Sequence, residues 1–522
     1  AEGDTPRCVA RVIDAPPATL SEAKLDGAYL LTGESLPLTQ SLHSLLKERG
    51  GDPVVLPDAV LHDKDALADA VAALRKEGRT LRGVIHLLPM REAPSFPGIA
   101  PKEWHGHVDE EVKSLLFLLQ ACAPELSAAP QGAPFTVLAA SAGGGDFDLE
   151  SAEEARHPWR GGLAGLLKTA AKEWEHARFR AVDFDAPPAP EVLLGELRTG
   201  GAVEIGYRAD RRLALEAVQE TLPDGDDVST LFNSDSVVLA TGGARGITAE
   251  IVIRLAARTK AKFVLLGRSE VPDGPPTALT ETPMEEQALR AKVIAEAQAA
   301  GEKLGYPEIE ARVRHVRAEG EIRATLRAIG DAGGTAEYIQ CDVRDSEALA
   351  HVVRCTQEKY GAINVLLHGA GIIEDKFIVD KSPASFDAVL STKLEPLLCL
   401  TNTLDKDQIK ACMVFSSVAG FYGNPGQGDY AAANEIANRI TRRLRSLWPG
   451  KVVAMNWGPW HGVGMVTPEV ARQFEERGVG MIPVEGGCLA ALREFCSDEP
   501  EVRILIGPGP WVREKDAGTP HA

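Results

Sequence analysis

Two short stretches of the sequence carry residue types spaced for chemistry. The first is Thr241-Gly242-Gly243-Ala244-Arg245-Gly246-Ile247, set between an apolar run at 236–240 and a helical pattern at 249–257. Glycines at a strand-to-helix turn let the backbone come close to a pyrophosphate. The phosphate charge then faces the free N–H groups of the first helical turn. The second stretch is Val414-Phe415-Ser416-Ser417, with Tyr430 thirteen residues after Ser417 and Asn434 four further on. A free phenol titrates near 10. A tyrosine therefore does acid–base work near neutral pH only where its phenolate is stabilised.

The end of the strand after the glycine loop separates the two dinucleotides. An acidic residue there would bond a ribose 2′-hydroxyl, whereas a cation suits a 2′-phosphate. The sequence reads Gly267-Arg268-Ser269, and Arg245 adds a cation inside the loop. NADPH is the expected cofactor. Asp342-Val343 closes the strand at 337–340, where a carboxylate can meet the adenine amino group. His368-Gly369-Ala370-Gly371 closes the next, and its small residues leave room for ribose and nicotinamide.

Holding these loops requires strands covered on both faces. Short continuous apolar runs at 262–266, 364–367, 411–415 and 452–455 fit that need. Alternation with amphipathic helices implies an α/β fold built on a doubly wound parallel sheet. The first half is a faded copy, with runs at 28–31, 53–56, 83–87 and 135–138, the last followed by Ser141 as the run at 411–415 is by Ser417. The polar stretch Thr221-Leu-Pro-Asp-Gly-Asp-Asp227 marks the boundary. Two Rossmann-like units are expected, at 1–225 and 226–522, the first degenerate. A charged insertion at about 270–334 opens with Pro272-Asp-Gly-Pro-Pro276 and reads as a surface helical excursion. In the first half, Thr32-Gly33 runs into Glu34-Ser-Leu-Pro37, a poor phosphate cradle because the acid repels and the proline lacks an N–H. No tyrosine follows Ser141 until Tyr207. The first half is expected to be non-catalytic.

Composition narrows the function classes. The chain has 522 residues, 44% of them apolar, with 56 Lys+Arg against 75 Asp+Glu for a net charge of −19. Such a balance disfavours nucleic acid and anionic membrane as partners. The best apolar run, at 115–119, is far short of a bilayer span. Eight cysteines stand singly with no C-x-x-C pair, which points to reduced thiols in a cytoplasmic protein, with no metal centre. The chain opens on Ala1 rather than Met, as expected of one segment of a longer chain.

The Ser417–Tyr430 spacing resembles the short-chain dehydrogenase/reductase family. That family usually places Lys four residues after Tyr, where this sequence has Asn434. Ketoreductase domains of type I polyketide and polyunsaturated fatty acid synthases have Asn there and take their Lys from an earlier helix. Leu390-Ser-Thr-Lys393 resembles that element. The resemblance covers essentially the whole chain and extends to Asn456-Trp-Gly458-Pro459-Trp460, Gly464-Met465, Ala171-Lys-Glu-Trp174, Arg180-Ala-Val-Asp-Phe184 and the long insertion. It departs at Thr248, where the family motif has a third glycine. The resemblance implies NADPH-dependent reduction of a 3-ketoacyl thioester carried by an acyl carrier protein, alongside other domains of the same synthase. It implies Tyr430 as proton donor, Ser417 as hydrogen-bond donor to the carbonyl oxygen, Lys393 as the cation lowering the pKa of Tyr430, and Asn434 as holder of Lys393 and a water chain. Ser416 is the neighbouring decoy.

Stereochemistry follows from the same resemblance. Domains giving the D-hydroxy (B-type) product carry Leu-Asp-Asp where this chain reads Ile373-Glu374-Asp375. Pro425 also matches that group, while Tyr422 stands where the opposite group has Trp. A D-hydroxy product is expected, with Asp375, Tyr422, Pro425 and Met465 on the substrate side. Two competing readings are a sugar-nucleotide epimerase or dehydratase, against which Asn434 counts, and a non-enzymatic NADPH-binding module. Carrier proteins are acidic, so Lys292, Lys303, Arg312, Arg314 and Arg317 of the insertion form one candidate basic docking patch.

Overall fold

The structure, a computed structural model, describes residues 5–19, 24–129, 134–149, 156–223, 225, 227–281, 284–464, 472 and 479–509. Among them, the first-half strands are β1 (Arg7–Asp14), β2 (Ala28–Leu31), β3 (Asp52–Val55), β4 (Leu81–His86), β5 (Thr136–Ser141), β6 (Arg178–Phe184), β7 (Glu204–Arg208) and β8 (Arg211–Gln219). The second half holds β9 (Val237–Thr241), β10 (Lys262–Gly267), β11 (Thr335–Gln340), β12 (Ile363–His368), β13 (Ala411–Ser417), β14 (Lys451–Trp457) and β15 (Arg503–Ile506).

All fifteen lie in one sheet, ordered β11-β10-β9-β12-β13-β14-β15-β1-β8-β7-β6-β5-β4-β2-β3. From β11 to β15 every pairing is parallel, which is the expected doubly wound arrangement. Strands β9, β12 and β13 are almost wholly buried, as a sheet covered on both faces requires. The first half repeats the pattern from β3 to β7, and among the described residues β3 is the edge strand. Sequence reasoning missed the join. Strand β1 pairs antiparallel with β15 on one side and β8 on the other, so the two units share a continuous sheet.

A second contact between the halves lies on one face of that sheet. Helix Gly161–Glu173 of the first half packs on helix Gly428–Leu447 of the second. Glycine permits the approach: a Cβ at Gly165 would sit 2.5 Å from the carbonyl oxygen of Ala431. Buried ions also cross the interface. Arg439 donates to Glu204 at 3.0 Å, and Lys168 pairs with the same carboxylate.

The insertion carries helices Glu286–Ala299 and Tyr306–Asp331. It is less solvated than its polarity implied. Leu279, Leu289, Val293, Val313 and Val316 form a small core of its own, while Ile322 and Ile329 join the main core beside the sheet. None of the eight cysteines forms a disulfide, and six of them are buried.

Candidate active site

The glycine loop leaves β9 and enters helix Gly246–Thr259. Gly242 and Gly246 take φ of 63° and 61°, the left-handed region where a side chain is strained. A Cβ at Gly242 would also press on Gly369 and Ala370 at 3.1 Å. No side chain caps this helix, so its first N–H groups stay available to an anion. These features fit a dinucleotide pyrophosphate. Thr248 is buried, and a Cβ at Gly369 would lie 2.1 Å from its hydroxyl. The threonine thus packs under the β12 loop in place of the family's third glycine.

A long cleft runs from this loop to Tyr430. Its lining includes Gly242, Arg245, Gly246, Ile247, Arg268, Ser269 and Val343 at one end. Gly369, Ala370, Gly371, Lys393, Gly458 and Pro459 line the middle. Ser417, Tyr430, Tyr422 and Asp375 line the far end. The insertion supplies one wall through Glu286, Arg290, Arg317 and Glu321. Local sequence held no sign of that role. Arg268 is exposed at the end of β10. Arg245 is tied to Glu321 of the insertion. Asp342 is held by Arg344 at 2.6 Å, and this hydrogen bond keeps its carboxyl below the usual range.

Several expected cofactor contacts turn inward instead. His368 is fully buried; its Nδ1 lies 2.8 Å from Thr241 Oγ1 and its Nε2 2.8 Å from the carbonyl of Lys393. Burial pushes its imidazole down to about 3. Thr241 and His368 therefore pin β9, β12 and the Lys393 helix together and do not line the cleft. Gly243 faces Ala240, with an added Cβ 2.5 Å away. Asp342, Pro425 and Asn434 also stand outside the lining. Met465 lies outside the described residues.

The catalytic candidates converge where β13 ends. Ser417 caps the short helix Val418–Tyr422, its Oγ accepting from Ala419 N–H at 3.2 Å. Its own proton stays free to donate, and its hydroxyl lies beside the Tyr430 phenol. Tyr430 sits in the first turn of helix Gly428–Leu447. Burial raises its phenol, and the nearby polar side chains of Ser417 and Asn434 pull it back in part. Lys393 projects from helix Pro383–Thr403, is 4% exposed, and donates from Nζ to the Phe415 carbonyl at 2.8 Å. Burial lowers its ammonium to about 8. Burial therefore sets the direction in which the phenol shifts, while the Lys393 ammonium is hydrogen-bonded to a carbonyl. Asn434 donates to the Tyr430 carbonyl at 2.8 Å, while its buried Oδ1 has no partner. That orphan acceptor fits a role in holding a polar group.

Ser416 points away, donating to Asn434 O and Asn456 Oδ1. Strand register matches Ser141 to Ser416 rather than to Ser417. Ser141 opposes Asp183 as Ser416 opposes Asn456. Ser141 Oγ bonds Asp183 at 2.7 Å, and Ala142 follows where Ser417 stands. The first half also repeats the histidine pin. His86 Nδ1 is 3.0 Å from Thr32 Oγ1, and its Nε2 is 2.8 Å from the carbonyl of Glu111. Glu111 thus occupies the place of Lys393, bound to Arg160 and Trp159.

On the stereochemical side, Gln427 donates to Asp375 at 3.1 Å, and burial raises the Asp375 carboxyl. In the supposed docking patch, Arg312 pairs with Glu302 and Arg317 with Glu286, both at 2.7 Å, so acids offset its charge. Among the described residues no helix is long and apolar enough to cross a membrane, and no group of three or more His, Cys, Asp or Glu is placed to hold a metal ion.

Comparison with known proteins follows the same lines. Residues 236–462 match the family model described as KR domain. One of the chains of a polyunsaturated fatty acid synthase from Thraustochytrium sp. is 35% identical over 374 residues, 69% of this chain and 13% of that protein. A polyketide synthase of Burkholderia thailandensis is 28% identical over 379 residues, again 69% of this chain but 6% of that protein. This chain therefore spans a small part of the curated relatives it matches. Among solved structures, an N-terminal ketoreductase from a macrolactin assembly line superposes with a TM-score of 0.73 at 16% identity, over 97% of this chain and 92% of that one. A ketoreductase domain from a bacillaene assembly line gives a TM-score of 0.63 at 21% identity, over 97% of each chain. At these identities the superpositions show the shared fold.

Proposed function

Because residues 236–462 belong to the KR-domain family, the ketoreductase domains of polyketide and polyunsaturated fatty acid synthases, we propose that this chain reduces a 3-ketoacyl thioester to the 3-hydroxyacyl thioester using NADPH. The substrate arrives on the phosphopantetheine arm of an acyl carrier protein within a larger synthase. Residues 226–522 form the catalytic unit and residues 1–225 a structural one. The observation that carries this reading is the convergence of Lys393, Ser417 and Tyr430, backed by Asn434, on a cleft that begins at the glycine loop.

The residues divide the work as follows. The glycine loop and the start of helix Gly246–Thr259 take the pyrophosphate, and Arg268 and Arg245 favour a 2′-phosphate. The nicotinamide, when bound, supplies hydride to the carbonyl carbon. Tyr430 gives its phenolic proton to the carbonyl oxygen. Ser417 donates a hydrogen bond to the same oxygen and shares the charge developing there. Lys393, the buried cation beside Gly371, favours the phenolate left behind. Asn434 fixes the first turn of the Tyr430 helix and offers Oδ1 to the proton path. Asp375 and Tyr422 shape the far end for a D-hydroxy product.

NADPH oxidation with a β-ketoacyl thioester or a decalone surrogate tests the reading. Tyr430→Phe is expected to reduce turnover by a factor of roughly 100 or more. Wild-type turnover in that variant refutes the mechanism, and an L-3-hydroxyacyl product on chiral chromatography refutes the stereochemical part.

A further inference from the structure

Two loops border the substrate end of the cleft. One, at 372–381, carries Asp375. The other, at 423–427, joins Tyr422 to the Tyr430 helix and carries Gln427. They touch directly, through Lys376 N–H to Gly426 O at 2.9 Å and Gln427 to Asp375 at 3.1 Å. Neither belongs to a strand or a long helix, so their positions need outside support.

The support comes from the half that lacks the catalytic residues. Glu173 ends helix Gly161–Glu173. Its Oε2 accepts from Ile378 N–H and its Oε1 from Gly426 N–H, each at 2.8 Å. One carboxylate thus holds both loops. Neighbouring groups of the first half extend the hold. Lys172 Nζ donates to Gly423 O at 3.0 Å, and Thr169 Oγ1 accepts from Asn424 N–H at 3.3 Å. Gln120 donates to the carbonyls of Ile378 and Lys381 at 2.8 and 2.7 Å. The Gly423 turn, at φ 70°, lies so close to this helix that a Cβ would meet the Lys168 carbonyl carbon at 2.5 Å. Beside Glu173, the buried pair Lys381–Asp429, at 2.8 Å, ties the first loop to the residue before Tyr430.

We infer that Glu173 is a positioning residue: from the non-catalytic half it sets the spacing of the two loops around the substrate, and so which face of the ketone is presented to the active site. The inference rests on the ketoreductase reading and deepens it. A carboxylate suits the task because it is all acceptor and meets two N–H donors. An amide keeps the size but turns one contact into donor against donor.

The experiment compares wild type with Glu173→Gln, using a prochiral β-ketoacyl surrogate, chiral chromatography of the product and NADPH binding by fluorescence. Glu173→Gln is expected to lower kcat/KM for the surrogate about ten-fold, as for loss of one charge-assisted hydrogen bond. The ratio of product enantiomers is expected to shift several-fold, with the NADPH Kd unchanged within about two-fold. An unchanged enantiomer ratio overturns the inference, including the case where only thermal stability falls. Should Glu173→Gln fail to fold, Lys172→Met is read instead. It removes an ammonium from the Gly423 carbonyl and is expected to shift the ratio in the same direction, by less. No shift there overturns the inference. A wild-type enzyme that binds NADPH but reduces no β-ketoacyl surrogate refutes the functional reading instead, so the two failures are distinct.

Discussion

His86 offers a quantitative test of the fold in the half that carries no proposed chemistry. It is fully buried between Thr32 Oγ1 and the carbonyl of Glu111. Burial lowers its imidazole from 6.5 to about 4, against smaller opposing effects of the Glu111 and Asp58 carboxylates and alongside Arg91. The neutral ring is therefore the folded form. Its stabilisation is complete above 6.5 and is lost as pH falls towards the folded value. Linkage from these two values gives a loss of about 2 kcal/mol by pH 5 and about 3 kcal/mol below pH 4. Other groups titrate in the same range: His368 likewise, and Asp148, raised by burial to about 7, in the opposite sense. A difference measurement cancels them. Urea unfolding of wild type and His86→Gln at pH 8 and pH 5 isolates the one ring, since glutamine can still donate to Glu111 O but does not titrate. The destabilisation caused by the substitution is expected to shrink by about 2 kcal/mol between pH 8 and pH 5. A destabilisation that stays the same within about 0.5 kcal/mol refutes the buried neutral pin.

Four further outcomes follow from the site and the interface. Ser417→Ala is expected to lower kcat about 100- to 1000-fold, as for loss of an oxyanion donor. Ser416→Ala is expected to cost only about 1 kcal/mol of stability and to keep turnover within about three-fold; steady-state kinetics on both reads the difference. Arg268→Ala is expected to weaken NADPH binding roughly 10- to 100-fold and leave NADH unaffected, measured by fluorescence titration. Gly165→Val drives a side chain into the Ala431 carbonyl, one residue from Tyr430. It is expected to destabilise by about 3 kcal/mol and to lower kcat more than NADPH affinity, read by unfolding and kinetics together.

Legibility divided along physical lines. The glycine loop, Ser417, Tyr430 and Asn434 stand out as candidates in the sequence because each is placed by a short spacing on a strand-to-helix unit. Lys393 lies on another helix, 37 residues before Tyr430, and only the family resemblance picked it out. Strand β1 gave no local warning of its role, since its partners, β15 and β8, lie far along the chain. Glu173 belonged to a recognisable motif, but its partners Ile378 and Gly426 are more than 200 residues away. His368 was misjudged for a different reason. Its position at a strand end suits a cofactor contact, and only the Thr241 and Lys393 partners reveal that it faces inward. The insertion looked solvated because its apolar residues are few; they suffice for a small core once two helices face each other.

The histidine pins make the molecule its own negative control. Thr32–His86 and Thr241–His368 hold corresponding strands and helices with nearly the same distances, one in each half. A third member differs: the residue whose carbonyl the ring meets is Glu111 in one half and Lys393 in the other. At the next strand end the exchange is Ala142 for Ser417. At these positions the shared residues hold the fold, and the differing ones, Lys393 and Ser417, line the cleft. A protein engineer restoring or erasing activity can therefore leave the threonine–histidine frame untouched and work on the few positions that the frame presents.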